Sequence, residues 1–308
     1  MAGQSQRSNR VGLFVRFARV QFVPVILAPI IVGAAAAFAS TRSLDLVYLA
    51  LLLLAAGFLH IASNSIDDVY DFLNGVDVVS ENMFPKEFPG WKPLPRGVMT
   101  VGQAYAISFS FYALSLAIGV YFAIVVGWLA LAIAIPGVVL SYFYVAPPLK
   151  LDYRGLGLGE LSIFLGFGPI PALGAFYVLT GGLQLLPLLV AIPCGLLTMN
   201  VLLTHDMIFF EPYSAAGKRS LAIVLGRYRT EWLTLGSTLV AYALVISLVA
   251  LRLVAPTSLA VLLALPILVK AGVRPRAERS VPQYGDRAKA FFLHSVIFSL
   301  LLALGLVI

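Results

Sequence analysis

Two runs of acids in this chain have the residue types and spacing to hold a cation. The first is His60-Ile-Ala-Ser-Asn64-Ser-Ile-Asp67-Asp68-Val-Tyr-Asp71, followed by Phe-Leu-Asn-Gly75-Val-Asp77. At about 100° per residue, a helix places His60, Asn64, Asp67, Asp68 and Asp71 on one face roughly 100° wide. Like charges so spaced repel one another, and something positive has to compensate them. Clustered oxygen donors without cysteine suit Mg²⁺, which takes carboxylates together with water and substrate phosphates. His60 by itself reads as a hydrogen bonder between helices rather than a ligand.

The second run is Asn200-Val-Leu-Leu-Thr-His205-Asp206-Met-Ile-Phe-Phe210-Glu211-Pro212, continuing to Gly217-Lys218-Arg219-Ser220-Leu221. Asp206 and Glu211 are five residues apart, about 140° on a helix, so an unbroken helix does not aim both at one ion. Pro212 is expected to end the helix and let Glu211 reach back from the turn, with a purely structural Glu211 as the alternative. Each acidic run is followed by bases, Lys92 and Arg96 after the first, Lys218 and Arg219 after the second.

Both runs end long apolar stretches, and the composition explains why. Of 308 residues, 60% are hydrophobic and only 11% charged, and the mean hydropathy is +0.96. A soluble domain carries about 25% charged residues, so this chain has too few to cover a water-facing surface, and the same numbers exclude disorder. The fold class is an all-α polytopic membrane protein. The single Cys194 excludes disulfide frameworks and thiolate metal sites.

Nine stretches are apolar over about the 20 residues that a membrane helix needs: residues 20–40, 44–63, 102–124, 127–146, 158–180, 183–204, 232–251, 255–273 and 290–308. The first contains Ala37-Phe38-Ala39, which looks like a signal-peptidase site. Its long apolar run and its Pro24 and Pro29 instead mark a retained helix. With nine spans, nineteen of the 21 Lys and Arg residues fall on one side, among them Arg7, Arg10, Arg16, Arg19 and Lys86, leaving Arg42 and Arg252 opposite. The positive-inside rule then puts the amino terminus in the cytoplasm and the carboxyl terminus outside. The formal charge of +7 is a topology signal and not a nucleic-acid footprint. Thirteen of the 14 acids share that cytoplasmic side, Asp45 being the exception, so the functional face is expected there.

Asp68 and Asp206 each follow the second of four consecutive spans. The chain therefore reads as one membrane domain, residues 1–308, with related halves at about 15–150 and 155–275 and a ninth helix at 290–308. Gly57, Gly119, Gly137, Gly166, Gly168 and Gly174 are expected to allow close helix packing. Helix breaks are expected at Pro136, Pro169 and Pro171.

The first acidic run, with its upstream Asn64 and trailing Gly75-Val-Asp77, resembles the first Asp-rich motif of the UbiA superfamily of intramembrane prenyltransferases, in the form of the 1,4-dihydroxy-2-naphthoate polyprenyltransferases. The stretch Tyr142-Phe-Tyr144-Val-Ala-Pro147-Pro148-Leu-Lys150-Leu-Asp-Tyr153-Arg154-Gly155-Leu-Gly157-Leu-Gly159-Glu160 is similar to the same branch. So are Phe167-Gly168-Pro169, with Gly174 and Tyr177, and Gly217-Lys218-Arg219-Ser220-Leu221. Two departures stand out. Asp67 occupies the place where the family usually has Asn, and Phe210 the place of the second Asp in the second motif, with Glu211 following.

The resemblance implies a Mg²⁺-dependent transfer of a polyprenyl group from its diphosphate to an aromatic acceptor, 1,4-dihydroxy-2-naphthoate for this branch, in menaquinone biosynthesis. It implies Asp67, Asp68, Asp71, Asp206 and Glu211 as metal ligands, and Asn64, Arg96, Lys150, Arg154 and Lys218 around the diphosphate. Tyr142 and Tyr144 would face the allylic cation, whose attraction to an aromatic face is worth about 0.5–2 kcal/mol. Interface anchoring of the bases and tyrosines is the competing reading. Other acceptors, such as 4-hydroxybenzoate or geranylgeranylglyceryl phosphate, remain open. So does a cation-coupled transporter, which would bind near the bilayer midplane and not at helix ends.

Overall fold

The computed structural model describes residues 12, 14, 15, 17–84, 92–272, 274–276 and 278–308. Arg7, Arg10, Arg16 and Lys86, counted in the charge sorting, lie outside the described residues. Among the described residues there is no strand. After a short 3-10 turn at Val20–Phe22 come α1 (Pro24–Thr41), α2 (Leu46–Leu73), α3 (Val76–Met83), α4 (Val101–Val125) and α5 (Leu129–Phe143). A linker with the 3-10 turn Leu151–Tyr153 leads to α6 (Leu158–Gly166), α7 (Pro169–Thr180), α8 (Leu186–Ile208), α9 (Phe210–Ala215) and α10 (Leu221–Leu225). The chain closes with α11 (Arg227–Ala250), a 3-10 segment Pro256–Ala264, α12 (Leu265–Lys270) and α13 (Val281–Val307).

Among the described residues, seven helical segments are long and apolar enough to cross a membrane, and two shorter apolar ones, Leu129–Phe143 and Pro256–Lys270, add to them. All nine expected stretches thus form helix, but the fourth and eighth are short. At about 1.5 Å per residue the 15 residues of α5 rise roughly 22 Å, less than a hydrocarbon core of about 30 Å. The fifth expected span is broken, α6 ending at Gly166 and α7 starting at Pro169. Pro169 suits that start, since a first-turn residue has no use for its amide hydrogen. Pro136 instead lies inside α5, and Pro171 lies in the first turn of α7.

Helix starts follow the local chemistry. The Asp45 carboxylate caps α2 by accepting from the amides of Val47 and Tyr48, both at 2.9 Å. Thr100 with Gln103 and Ser280 with Gln283 form capping boxes at α4 and α13.

Helix α1 is central, packing on α7, α8 and α13, and it contributes to two apolar clusters. One joins Val32 to Val190, Leu197, Val245, Phe298 and Leu302. The other joins Ile26 and Ile30 to Leu52, Phe122 and Val178. Leucines and isoleucines such as Leu54, Leu114, Ile124, Leu239 and Leu263 are exposed, as expected of a surface solvated by lipid. Of the six glycines expected to allow close packing, Gly168 does so most plainly: a Cβ there would sit 2.7 Å from the Gly195 Cα. Gly166 faces open space.

Candidate functional site

The first acidic run rides on the end of α2. That helix has 28 residues, about 42 Å of rise, so its last turns extend beyond what a bilayer requires. Asp68 and Asp71 are 2% and 1% exposed. Gly75 then takes a φ of +80°, a left-handed turn that glycine adopts at no steric cost, and the chain folds back so that Asp77 on α3 joins the cluster. Arg19 Nη1 lies 3.2 Å from Asp67 Oδ2, and its Nη2 pairs with Asp68. Lys92 Nζ sits 3.0 Å from Asp68 Oδ1 and 2.6 Å from Asp77 Oδ1. Lys218 Nζ is 3.4 Å from Asp71 Oδ2, and the Tyr153 hydroxyl donates to Asp71 Oδ1.

These pairings set the protonation balance. Burial pushes the Asp77 carboxyl up to about 8, against the pull of Lys92 and with the help of Asp71 and Asp68. Burial works against charge on Lys92, but Asp68 and Asp77 outweigh it and hold the ammonium above its ordinary value. Lys218 is held charged in the same way by Asp152 and Asp71.

A second cluster forms around Asp206, in the last turn of α8. Its neighbours are Asp152, from the 3-10 turn after α5, and Glu160, from the first turn of α6; one ligand oxygen from each lies within 4.8 Å of the others. The short α5 ends early enough for the linker to fold back inward, where the Asp152 amide donates to the Tyr144 carbonyl at 2.9 Å. Gly159 makes room for the Asp152 carboxylate: a Cβ at Gly159 would meet Asp152 Oδ1 at 2.6 Å. Lys218 Nζ lies 2.8 Å from Asp152 Oδ2, and Glu160 Oε1 accepts from the Leu221 amide at 2.9 Å. The Asp152 Oδ1 and Asp206 Oδ2 atoms are buried without a hydrogen-bond partner.

Both clusters open on one cavity of about 330 Å³. Its walls are apolar, with Ile26, Ile30, Leu52, Phe122, Ile133 and Ile170, and its polar end is made by Asn64, Asp67, Tyr144, Asp152, Asp206 and Lys218. His60 also lines it, edge-on to Phe167. The expected hydrogen bond between helices does not form: among the described residues both ring nitrogens are buried without a partner, and the ring lines the cavity.

The other residues singled out from sequence sit elsewhere. Tyr142 is outside the cavity lining, in a group of rings with Tyr70, Phe109 and Tyr112, its hydroxyl 3.2 Å from that of Tyr70. Lys150 donates to Asn74 Oδ1 at 2.7 Å. Arg154 donates to the carbonyls of Leu149 and Pro148 at 2.7 and 2.9 Å, and Arg96 pairs with Glu81. Helix α8 stops at Ile208, ahead of Pro212, which lies inside α9. On that short helix the Glu211 side chain is 62% exposed and pairs with Arg227 Nη1 at 3.0 Å, so the structure does not bring it to Asp206. Arg19 and Lys92, read from sequence only as topology and loop bases, and Asp152 and Glu160 are the site residues that sequence reasoning missed. The available signal was their place between and at the start of membrane stretches in a chain with only 14 acids.

The UbiA prenyltransferase family profile matches residues 26–303. The chain is similar to the 1,4-dihydroxy-2-naphthoate octaprenyltransferase of Bacillus subtilis, at 26% identity over 93% of this chain and 88% of the relative. It is 28% identical to the enzyme of the same name from Mycobacterium tuberculosis, over 95% of this chain and 97% of that one. In fold it is similar to a UbiA homolog from Archaeoglobus fulgidus bound to DMAPP and Mg²⁺, with a TM-score of 0.64, 19% identity and coverage of 93% of this chain and 98% of that one.

Proposed function

This chain belongs to the UbiA prenyltransferase family, and from that premise we propose that it transfers a polyprenyl group from polyprenyl diphosphate to 1,4-dihydroxy-2-naphthoate. It is a prenyltransferase and a multi-pass membrane protein. The acceptor follows the relatives that carry that name over most of their length. One observation carries the reading: two acidic clusters, joined by Lys218, meet at the polar end of a single apolar cavity.

The donor's two halves match the cavity's two ends. The isoprenoid tail lies against the walls made by Ile26, Ile30, Leu52 and Phe122, and the diphosphate lies at the charged end beside Lys218 and Arg19. These two bases, which neutralise acids in the free protein, are donors within reach of phosphate oxygens. Tyr144 borders the same space and presents an aromatic face to the allylic carbon as positive charge develops there. The apolar walls exclude water, which would otherwise capture that cation.

Mg²⁺ fits the donors at hand. Asp67, Asp68, Asp71 and Asp206 offer oxygen only, and Asp206 has a buried oxygen without a partner. These acids would hold Mg²⁺, Asp67, Asp68 and Asp71 on one side and Asp206 on the other, and the metal would supply positive charge to the leaving diphosphate. The reading also takes the chain as nine spans in two related halves, with the amino terminus and the site on the cytoplasmic side.

Purified protein, Mg²⁺, radiolabelled geranylgeranyl diphosphate and a panel of acceptors test the proposal. The expected product is labelled prenylated naphthoate. Transfer to 4-hydroxybenzoate alone would replace the acceptor and leave the reaction. No transfer to any acceptor, with Asp68→Ala and Asp71→Ala indistinguishable from wild type, would overturn both.

A further inference from the structure

Asp152 and Glu160 belong to neither acidic run that the sequence singles out, yet they close on Asp206 from two other elements of the fold. The three are 2%, 2% and 1% exposed, and their ligand oxygens lie within 4.8 Å of one another. Carboxylates this close and out of water cannot all stay ionised unless a cation offsets them. Among the described residues, protein cations do not suffice. Lys218 pairs with Asp152 alone of the three, and it is shared with Asp71. His205 Nδ1 stands 3.6 Å from Asp206 Oδ1, too far for a hydrogen bond.

A second observation points to a ligand and not to mere crowding. Asp152 Oδ1 and Asp206 Oδ2 are fully buried and have no hydrogen-bond partner, although buried polar atoms in folded proteins are nearly always paired. Both residues border the cavity. Gly159 leaves the Asp152 carboxylate space that any larger residue would fill. The donor set is all oxygen, which suits hard divalent ions.

We propose that Asp152, Glu160 and Asp206 form a divalent-cation site in the Mg²⁺ or Mn²⁺ class, with one ligand each from the linker turn, α6 and α8. It is separate from the Asp67–Asp68–Asp71 face. Glu211, paired with Arg227 on an exposed surface, has no part in it. The inference deepens the prenyl-transfer reading by giving Asp206 its partners, and its test reads ion binding without any prenyl donor.

The experiment titrates the full chain, purified in detergent, with Mn²⁺ and follows the loss of the free-ion EPR signal. Glu160→Gln keeps an oxygen to accept from the Leu221 amide, so the local fold is retained. It should weaken one class of Mn²⁺ sites by about tenfold or more while the remaining class is unchanged. Gly159→Ala should weaken the same class without removing any carboxylate, by crowding Asp152, and it covers the case in which the glutamine variant does not fold. Wild-type titrations from whichever of the two variants fold, checked by circular dichroism, would overturn the site and favour carboxylates that hold protons instead. A weakened class without prenyl transfer to any acceptor would keep the ion site and sink the functional reading. Unchanged Mn²⁺ binding with intact transfer would do the reverse.

Discussion

The two acidic clusters border the same cavity, but they solve the problem of buried negative charge differently. Around α2 and α3, Asp67, Asp68, Asp71 and Asp77 are met by Arg19, Lys92 and Lys218, with the Tyr153 hydroxyl as a further donor. Around α8, three carboxylates share a part of one lysine and leave two oxygens without partners. Among the described residues, the first cluster is compensated by the protein itself, whereas the second is left short of internal positive charge. Sequence spacing pointed to the first as the better ion site, since its acids share a helix face. On the proposed ion site, a shortage of internal cations marks a metal site more sharply than convergence of acids on one helix face.

Lys218→Met strikes at this contrast most heavily, because it removes a base common to both sides. Breaking a buried ion pair costs about 3–5 kcal/mol, and a fall of that order in unfolding free energy is expected, together with loss of prenyl transfer. A fall below about 1 kcal/mol would mean that Lys218 is not the shared counter-charge.

The next test separates the clusters by sign. In metal-free buffer, Asp68→Asn should destabilise by about 2 kcal/mol, since Arg19 and Lys92 lose a partner. Asp206→Asn should stabilise by about 1 kcal/mol, since it relieves repulsion among unpaired carboxylates. Thermal melts shifting in the same direction for both variants would end the distinction.

A smaller effect concerns Asp77, whose folded pKa is raised to about 8 from an unfolded value of about 4. The stability this residue contributes is fully present below about pH 4 and is lost as pH rises through about 8. Asp77→Asn does not titrate, so it should gain on wild type as pH rises across that window. Parallel melting curves for the two proteins from pH 5 to 9 would contradict the assignment. Smallest of all, Glu211→Gln breaks only an exposed pair with Arg227, and stability should change by less than about 1 kcal/mol with transfer unaltered within twofold. A large drop in transfer would bring Glu211 back toward the ion.

The helices and the first cluster were legible because they depend on local periodicity. Every expected apolar stretch forms helix, and the end of α2 carries Asp68 and Asp71 inward as the face of acids predicts. The roughly 140° between Asp206 and Glu211 already argued against a shared ion. Asp152 and Glu160 escaped because their partner is about 50 residues away and reached through a folded linker, a contact that no helical period encodes. Arg19 was visible only as a charge on one side of the membrane, and Lys92 only as such a charge in the loop after the first acidic run. Counting bases for topology hid the fact that two of them also neutralise Asp68.

Lys218 gives the two clusters a common currency of charge. Its ammonium reaches Asp152 and Asp71 at once, so a cation entering among Asp152, Glu160 and Asp206 takes over the neutralisation of Asp152 and leaves the lysine available to an anion. On the proposed ion site and function, cation and diphosphate would bind with positive cooperativity, and thermodynamic linkage would make the coupling reciprocal: whatever factor the ion adds to the affinity for diphosphate, the diphosphate adds to the affinity for the ion.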